Sequence, residues 1–218
     1  ARAADRRPNI PSTGGRRAIY TIARGSSDAA ANILSYELMR ETGLPVTSLP
    51  PSVFSVGRGV DMTGSIALVI SQSGASDDLV IAAKGAKDRG AIVIGLINQP
   101  GSKVAAVADA TLPIGAGPEL AVPATKSVVG SVAAGMALIG GLVPSYTARA
   151  AADAKVFAAL GPLSHPQEQA IVSALLRARH VYVIGRDTGF GAAQEVALKL
   201  KECCALHAEA YSSSEVLH

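Results

Sequence analysis

Glu195, Lys199 and Glu202 lie in the run Glu195-Val196-Ala197-Leu198-Lys199-Leu200-Lys201-Glu202. On an α-helix this spacing gathers all three charges on one face. Val196, Leu200 and Cys203 fall on a different face, the expected core side. The run follows a glycine-rich turn, Gly185-Arg186-Asp187-Thr188-Gly189-Phe190-Gly191. Two carboxylates and an ammonium beside such a turn suit proton transfer on a small polar substrate. The same residues also suit a solvated helix face, where an i,i+4 Glu–Lys pair adds only ~0.2–0.5 kcal/mol. Spacing alone leaves both readings open.

Three other turns carry small hydroxyl residues where anions bind. Ser71-Gln72-Ser73-Gly74-Ala75-Ser76 links an apolar run to a helical pattern. Hydroxyls, a glycine and backbone N–H groups at a helix start form a phosphate cradle that needs no lysine. Arg24-Gly25-Ser26-Ser27 and Val122-Pro123-Ala124-Thr125-Lys126-Ser127 occupy similar places. Each could be only a helix cap, since serine and threonine cap helices everywhere. All three in one topological position favour a binding site. Neither G-x-G-x-x-G nor G-x-x-x-x-G-K-[ST] occurs, so dinucleotide and nucleoside-triphosphate binding lack their fingerprints.

The elements that must position these residues alternate. Strands are predicted at Ala18–Ala23, Leu44–Leu49, Ser65–Ile70, Ala91–Ile97, Ala110–Ile114 and Val181–Ile184. Helices are predicted at Asp28–Thr42, Asp77–Arg89 and Thr125–Ile139, then near Ala148–Leu160 and Pro166–Arg179, with His207 at a helix end. The Thr125–Ile139 helix is apolar nearly all round, which buries it or places it at an interface. Runs such as Ile66-Ala67-Leu68-Val69-Ile70 are apolar without alternation, as strands covered on both faces are. The fold class is α/β: a doubly wound parallel sheet flanked by helices.

A shift of 162 positions lays Ile19-Tyr20-Thr21-Ile22-Ala23-Arg24 over Val181-Tyr182-Val183-Ile184-Gly185-Arg186. Ala30, Ala31, Leu38 and Leu44 then match Ala192, Ala193, Leu200 and Leu206. This predicts a tandem duplication whose second copy would close roughly 85 residues beyond His218. The expected organisation is an N-terminal segment over 1–16, a first domain over 17–145, and linker helices with an incomplete second domain over 146–218.

Composition narrows the partners. Of 218 residues 17% are charged, the net charge is +3, and there is no Trp. Basic residues are scattered apart from Arg6-Arg7 and Arg16-Arg17, and aromatics are few, so nucleic acid is not an expected partner. No apolar run reaches the ~18 residues of a membrane span, and no secretory leader opens the chain. The two cysteines, Cys203 and Cys204, are adjacent, which is neither a disulfide framework nor zinc spacing. A cytoplasmic protein with no metal and no cofactor is expected.

Ser71-Gln72-Ser73-Gly74, Ala116-Gly117-Pro118-Glu119 with Thr125-Lys126, and Ala197-Leu198-Lys199-Leu200-Lys201-Glu202 with His207-Ala208-Glu209-Ala210 together resemble the sugar isomerase (SIS) domain family. The likeness is to the isomerase half of glucosamine-6-phosphate synthases and to relatives without the glutaminase half, including glucosamine-6-phosphate deaminases. It implies a flavodoxin-like fold in two copies, a 6-phosphosugar substrate and a homodimer. It implies that Ser71, Gln72, Ser73 and Ser76 hold the phosphate. Gly25, Ser26, Val122 and Ala124 would line the sugar. Glu202 would move a proton between C1 and C2 with Lys199 beside it and Glu195 as an acidic neighbour. His218 would open the ring, lent across the dimer interface.

The sequence departs from that pattern at several points. Arg24 stands for a cysteine, Ala124 for a serine and Ser76 for a threonine. The glutaminase domain with its amino-terminal cysteine, and a Schiff-base lysine segment, have no counterpart in the 218 residues. Deamination of glucosamine 6-phosphate to fructose 6-phosphate and ammonia is therefore the expected activity. Alternatives are the isomerase domain of a synthase, a deglycase on another 6-phosphosugar, or a non-catalytic sugar-phosphate sensor.

Overall fold

A computed structural model describes residues 13–217. Five strands, β1 (Ala18–Ile22), β2 (Val46–Ser48), β3 (Ser65–Ser71), β4 (Ile92–Ile97) and β5 (Ala110–Pro113), form one sheet in the order β2-β1-β3-β4-β5. Every pairing in it is parallel. Parallel strands need crossovers, and helices supply them: α1 (Ser26–Thr42), α2 (Ser52–Ser55), α3 (Asp77–Asp88) and α4 (Lys103–Val107). Then follow α5 (Lys126–Leu142), α6 (Tyr146–Ala158), α7 (His165–Leu175), β6 (His180–Gly185), α8 (Thr188–Cys204) and β7 (His207–Ser212).

β3 shows why its central run over 66–70 is apolar. All seven residues of the strand are buried. Ile66, Leu68 and Ile70 enter a core with Leu34, Leu38, Leu138 and Ile139 from α1 and α5. Ala67 and Val69 enter the opposite core with Leu79, Ala82, Ala86 and Val104 from α3 and α4. Alternate side chains of this run thus feed two helical layers, and the buried polar residues of β3 are confined to its ends, Ser65 and Ser71. The doubly wound parallel α/β class is as expected.

The 162-residue correspondence extends to the backbone of these elements. The 162-residue shift carries α1 onto α8 end for end. It also carries the β1–β2 register, Ile19 opposite Val46, onto the β6–β7 register, Val181 opposite Ala208. Both helices open after a residue of positive φ, Gly25 (φ 55°, ψ −131°) and Asp187 (φ 57°, ψ −134°). Both close on a left-handed residue, Gly43 and Ala205.

Two expectations are corrected. His207 does not lie at a helix end: Ala205 (φ 49°) stops α8 at Cys204, and His207 opens β7 with its Nδ1 3.0 Å from that of His180. Nor is Val196–Leu200–Cys203 the buried stripe of α8. Val196 and Cys203 are exposed, and the buried positions are Gly191, Ala193 and Ala197. Small residues are selected there because α8 approaches α1 closely: a Cβ on Gly191 would stand 2.7 Å from the Ile33 nitrogen. The expected core stripe corresponds, under the 162 shift, to Leu34 and Leu38, which pack on the first sheet.

Candidate functional site

In the strand order β2-β1-β3-β4-β5 the winding reverses between β1 and β3, so a crevice opens at their carboxyl ends. The Arg24–Ser27 turn leaves β1 there and the Ser71–Ser76 loop leaves β3. Ser26, Ser71, Gln72, Ser73, Ser76, Val122, Ala124 and Glu202 all line one cleft of about 370 Å³.

The serine loop is braced from within. The Gly74 N–H donates to Ser71 Oγ at 2.9 Å, and the Ala75 N–H to Ser73 Oγ at 3.3 Å. Gly74 takes φ 59°, and a Cβ on it would fall 2.2 Å from Ser102 Oγ, so only glycine fits. Its carbonyl accepts from the Val104 N–H at 2.9 Å, which ties the loop to α4. Ser76 precedes α3 without capping it through its side chain, and the first turn of a helix presents N–H groups to an anion. Asp77 and Asp78 would oppose an anion there, but each is paired. Lys103 Nζ lies 3.0 Å from Asp77, and Arg24 Nη1 3.1 Å from Asp78.

α8 brings the charged face to the same cleft. Lys199 Nζ donates to Glu202 Oε2 at 2.5 Å and to Ser26 Oγ at 3.0 Å, and stands 3.4 Å from Glu195 Oε1. Desolvation works against the Lys199 ammonium. The hydrogen bond to Glu202 and the charges of Glu195 and Glu202 outweigh it and hold Lys199 above its ordinary value. Burial pushes the Glu195 carboxyl up, with Lys199 opposing the shift. The i, i+4, i+7 spacing has therefore produced one ion cluster joined to the first turn of α1, not a solvated face.

Some expected residues sit elsewhere. Gly25 lines a neighbouring cleft of about 280 Å³ with Asp28, Gln194, Lys201 and Glu209. Glu195 and Lys199 stand behind Glu202 and do not line the main cleft. His218 lies outside the described residues. The third turn offers backbone and apolar wall, because the Ser127 hydroxyl is buried and donates to Glu119 Oε2 at 2.9 Å. Glu119 also accepts the N–H groups of Thr125 (3.2 Å) and Ser127 (2.8 Å), so it fixes the start of α5 while lining the cleft. Those bonds hold its carboxyl below the usual range. Sequence reading assigned no role to Glu119 or Arg24, although both line the cleft. Arg24 adjoins Ser26 in sequence and was within reach; Glu119 acts across a loop that no periodicity reveals.

A parallel α/β sheet with a serine-rich loop at its switch point and an ion cluster opposite defines the class of this protein by its fold and its cleft. Comparison with known proteins gives that class its name: residues 15–140 match the SIS domain, and the chain belongs to the SIS domain family. It is 33% identical over 211 residues to glutamine–fructose-6-phosphate aminotransferase (isomerizing) of Leifsonia xyli subsp. xyli, covering 92% of this chain and 34% of that protein. A solved structure from Silicibacter pomeroyi, to which phosphosugar isomerase activity is ascribed, superposes with a TM-score of 0.83 at 39% identity, covering 93% of this chain and 62% of that one. The C-terminal domain of glucosamine–fructose-6-phosphate aminotransferase from Francisella tularensis gives 0.80 at 26% identity, with 94% and 61% covered. The chain thus spans about a third of the curated relatives it matches.

Proposed function

We propose that the cleft binds a 6-phosphosugar and that the full-length protein interconverts its aldose and ketose forms, with Glu202 carrying the proton between C1 and C2. One observation carries this reading: the serine cradle at the start of α3 and Glu202 of α8, with Lys199 paired to it from behind, line a single cleft. The cradle holds the phosphate at one end, and this remote binding orients the open-chain carbons at the other. Glu202 removes the C2 proton and returns it to C1. Lys199, held as the ammonium, donates to Glu202 and Ser26 and so fixes both groups where they face the substrate.

For glucosamine 6-phosphate the same proton transfer yields a C2 imine, which water hydrolyses to fructose 6-phosphate and ammonia. Deamination is the direction we propose to test first, with the synthase direction as its alternative. The test is ammonia release from glucosamine 6-phosphate by the full-length protein, beside the reverse reaction from fructose 6-phosphate and ammonia. Net release supports deamination. Isomerisation without release keeps the site and removes the deaminase assignment. Tight phosphosugar binding with no turnover in either direction would make the protein a sensor.

A further inference from the structure

The 162-residue shift acts in space as a local two-fold. Asn32 Nδ2 donates to Gln194 Oε1 at 2.9 Å, and these residues are each other's counterparts, so the axis passes between them. The axis exchanges the ends of α1 and α8. In the site, the charged end of α8 meets the first turn of α1. At the image of the site, the last turns of α1 meet the first turn of α8.

The image carries the opposite charges. Arg40, the counterpart of Glu202, donates from Nη2 to both carboxylate oxygens of Asp187, at 2.8 and 2.7 Å. Glu37, the counterpart of Lys199, pairs with Arg40 and stands 3.1 Å from Arg149. Asp187 Oδ1 also accepts the Thr188 N–H at 2.7 Å.

Asp187 adopts a backbone conformation that the first copy gives to Gly25. That region favours glycine, because a Cβ crowds the chain there. A strained side chain persists where its surroundings fix it, and the partners that fix this one are Arg40 and the start of α8. The contact of Gly191 and Gln194 with α1 forms a pivot. Measured from Gln194, Asp187 lies ~10 Å along the helix on one side and Glu202 ~12 Å on the other. A displacement at Asp187 is thus passed to Glu202 at nearly full size.

We propose that Asp187 and Arg40 are positioning residues, an ion-pair latch that sets α8 on α1 and thereby places Lys199 and Glu202 against Ser26. The turnover readout rests on the proposed isomerase activity; the latch itself does not. The experiment uses the full-length protein and four variants: Asp187→Asn, which keeps backbone tolerance and an oxygen for Thr188, Asp187→Gly, which relieves the strain, Arg40→Leu, and the Asp187→Asn/Arg40→Leu double.

Each single variant should melt near the wild-type temperature, keep KM for the phosphosugar within about twofold and lose kcat by about tenfold or more. The double should be no slower than the slower single, because both changes break one contact. Side-chain amine NMR reads the latch without turnover: the Lys199 titration should move down when Asp187 becomes Asn. Wild-type kcat in the three single variants, additive losses in the double, or an unmoved Lys199 titration overturns the latch. An inactive wild type overturns the functional reading instead, and the Lys199 titration then decides the latch alone.

Discussion

Lys199 touches Glu195, Glu202 and Ser26 at once, and those contacts fix its role. Its pKa is raised, so its pairing stabilises the fold fully below the unfolded lysine value of ~10.4 and is lost as pH rises through the higher folded value. Lys199→Met should therefore lower the melting temperature at pH 7 and converge with wild type in strong alkali, as scanning calorimetry across pH would record. Glu202→Gln should leave phosphosugar binding intact, because the cradle holds the ligand, and cut turnover by ~10²–10⁴. Exchange of the substrate proton beside the carbonyl should collapse with it, and unchanged turnover would remove the assignment. In the cradle, Ser71→Ala/Ser73→Ala should weaken binding by ~1.5–3 kcal/mol for each bond to the charged phosphate, as calorimetry would measure. These residues were legible because each set is local in sequence: a hydroxyl-rich turn and one helical face. Glu119 was not, since its partner Ser127 lies across a loop.

At the scale of elements, periodicity located the sheet and its long helices, and failed where two helices compete for one surface. α8 offered a leucine–valine stripe and an alanine–glycine stripe, and the small one faces α1. Hydropathy favours the larger side chains, whereas close helix approach selects the smaller. β7 escaped notice because His207 and Glu209 interrupt its apolar run and its partner β6 is 27 residues away. The 162-residue repeat held the missing clue, since it aligns Val46 with Ala208. Gly191→Ala tests the α1–α8 contact. Its Cβ would meet the Ile33 nitrogen at 2.7 Å and the Ala29 oxygen at 2.8 Å, both backbone atoms that cannot rotate aside. The helices must separate, which should cost ~1–3 kcal/mol in denaturant melts. Activity should fall further than stability does, because the same shift carries Glu202 out of the cleft.

For the whole molecule, the duplication leaves one surface unbalanced. Ile22 and Leu34 are fully buried, while their counterparts Ile184 and Val196 are 53% and 49% exposed. No helix among the described residues is long and apolar enough to cross a membrane, so this surface is not part of a helical span. A protein of these 218 residues alone should bind an apolar dye, and the full-length protein should not. Leu120, Val122 and Val129 are exposed in the segment beside the cleft, where a second subunit would cover them. We propose, from what the family resemblance implies for His218, a full-length homodimer whose sites are shared. Light scattering reads the assembly, and mixing reads the sharing. Glu202→Gln and His218→Asn subunits are each expected to be inactive. If the histidine is lent across a two-fold, one site of each mixed dimer has both groups intact. Refolding the two variants together at equal amounts should then restore about a quarter of wild-type activity. If each subunit uses its own histidine, every site carries a defect and the mixture stays inactive, which would leave the dimer without a catalytic purpose.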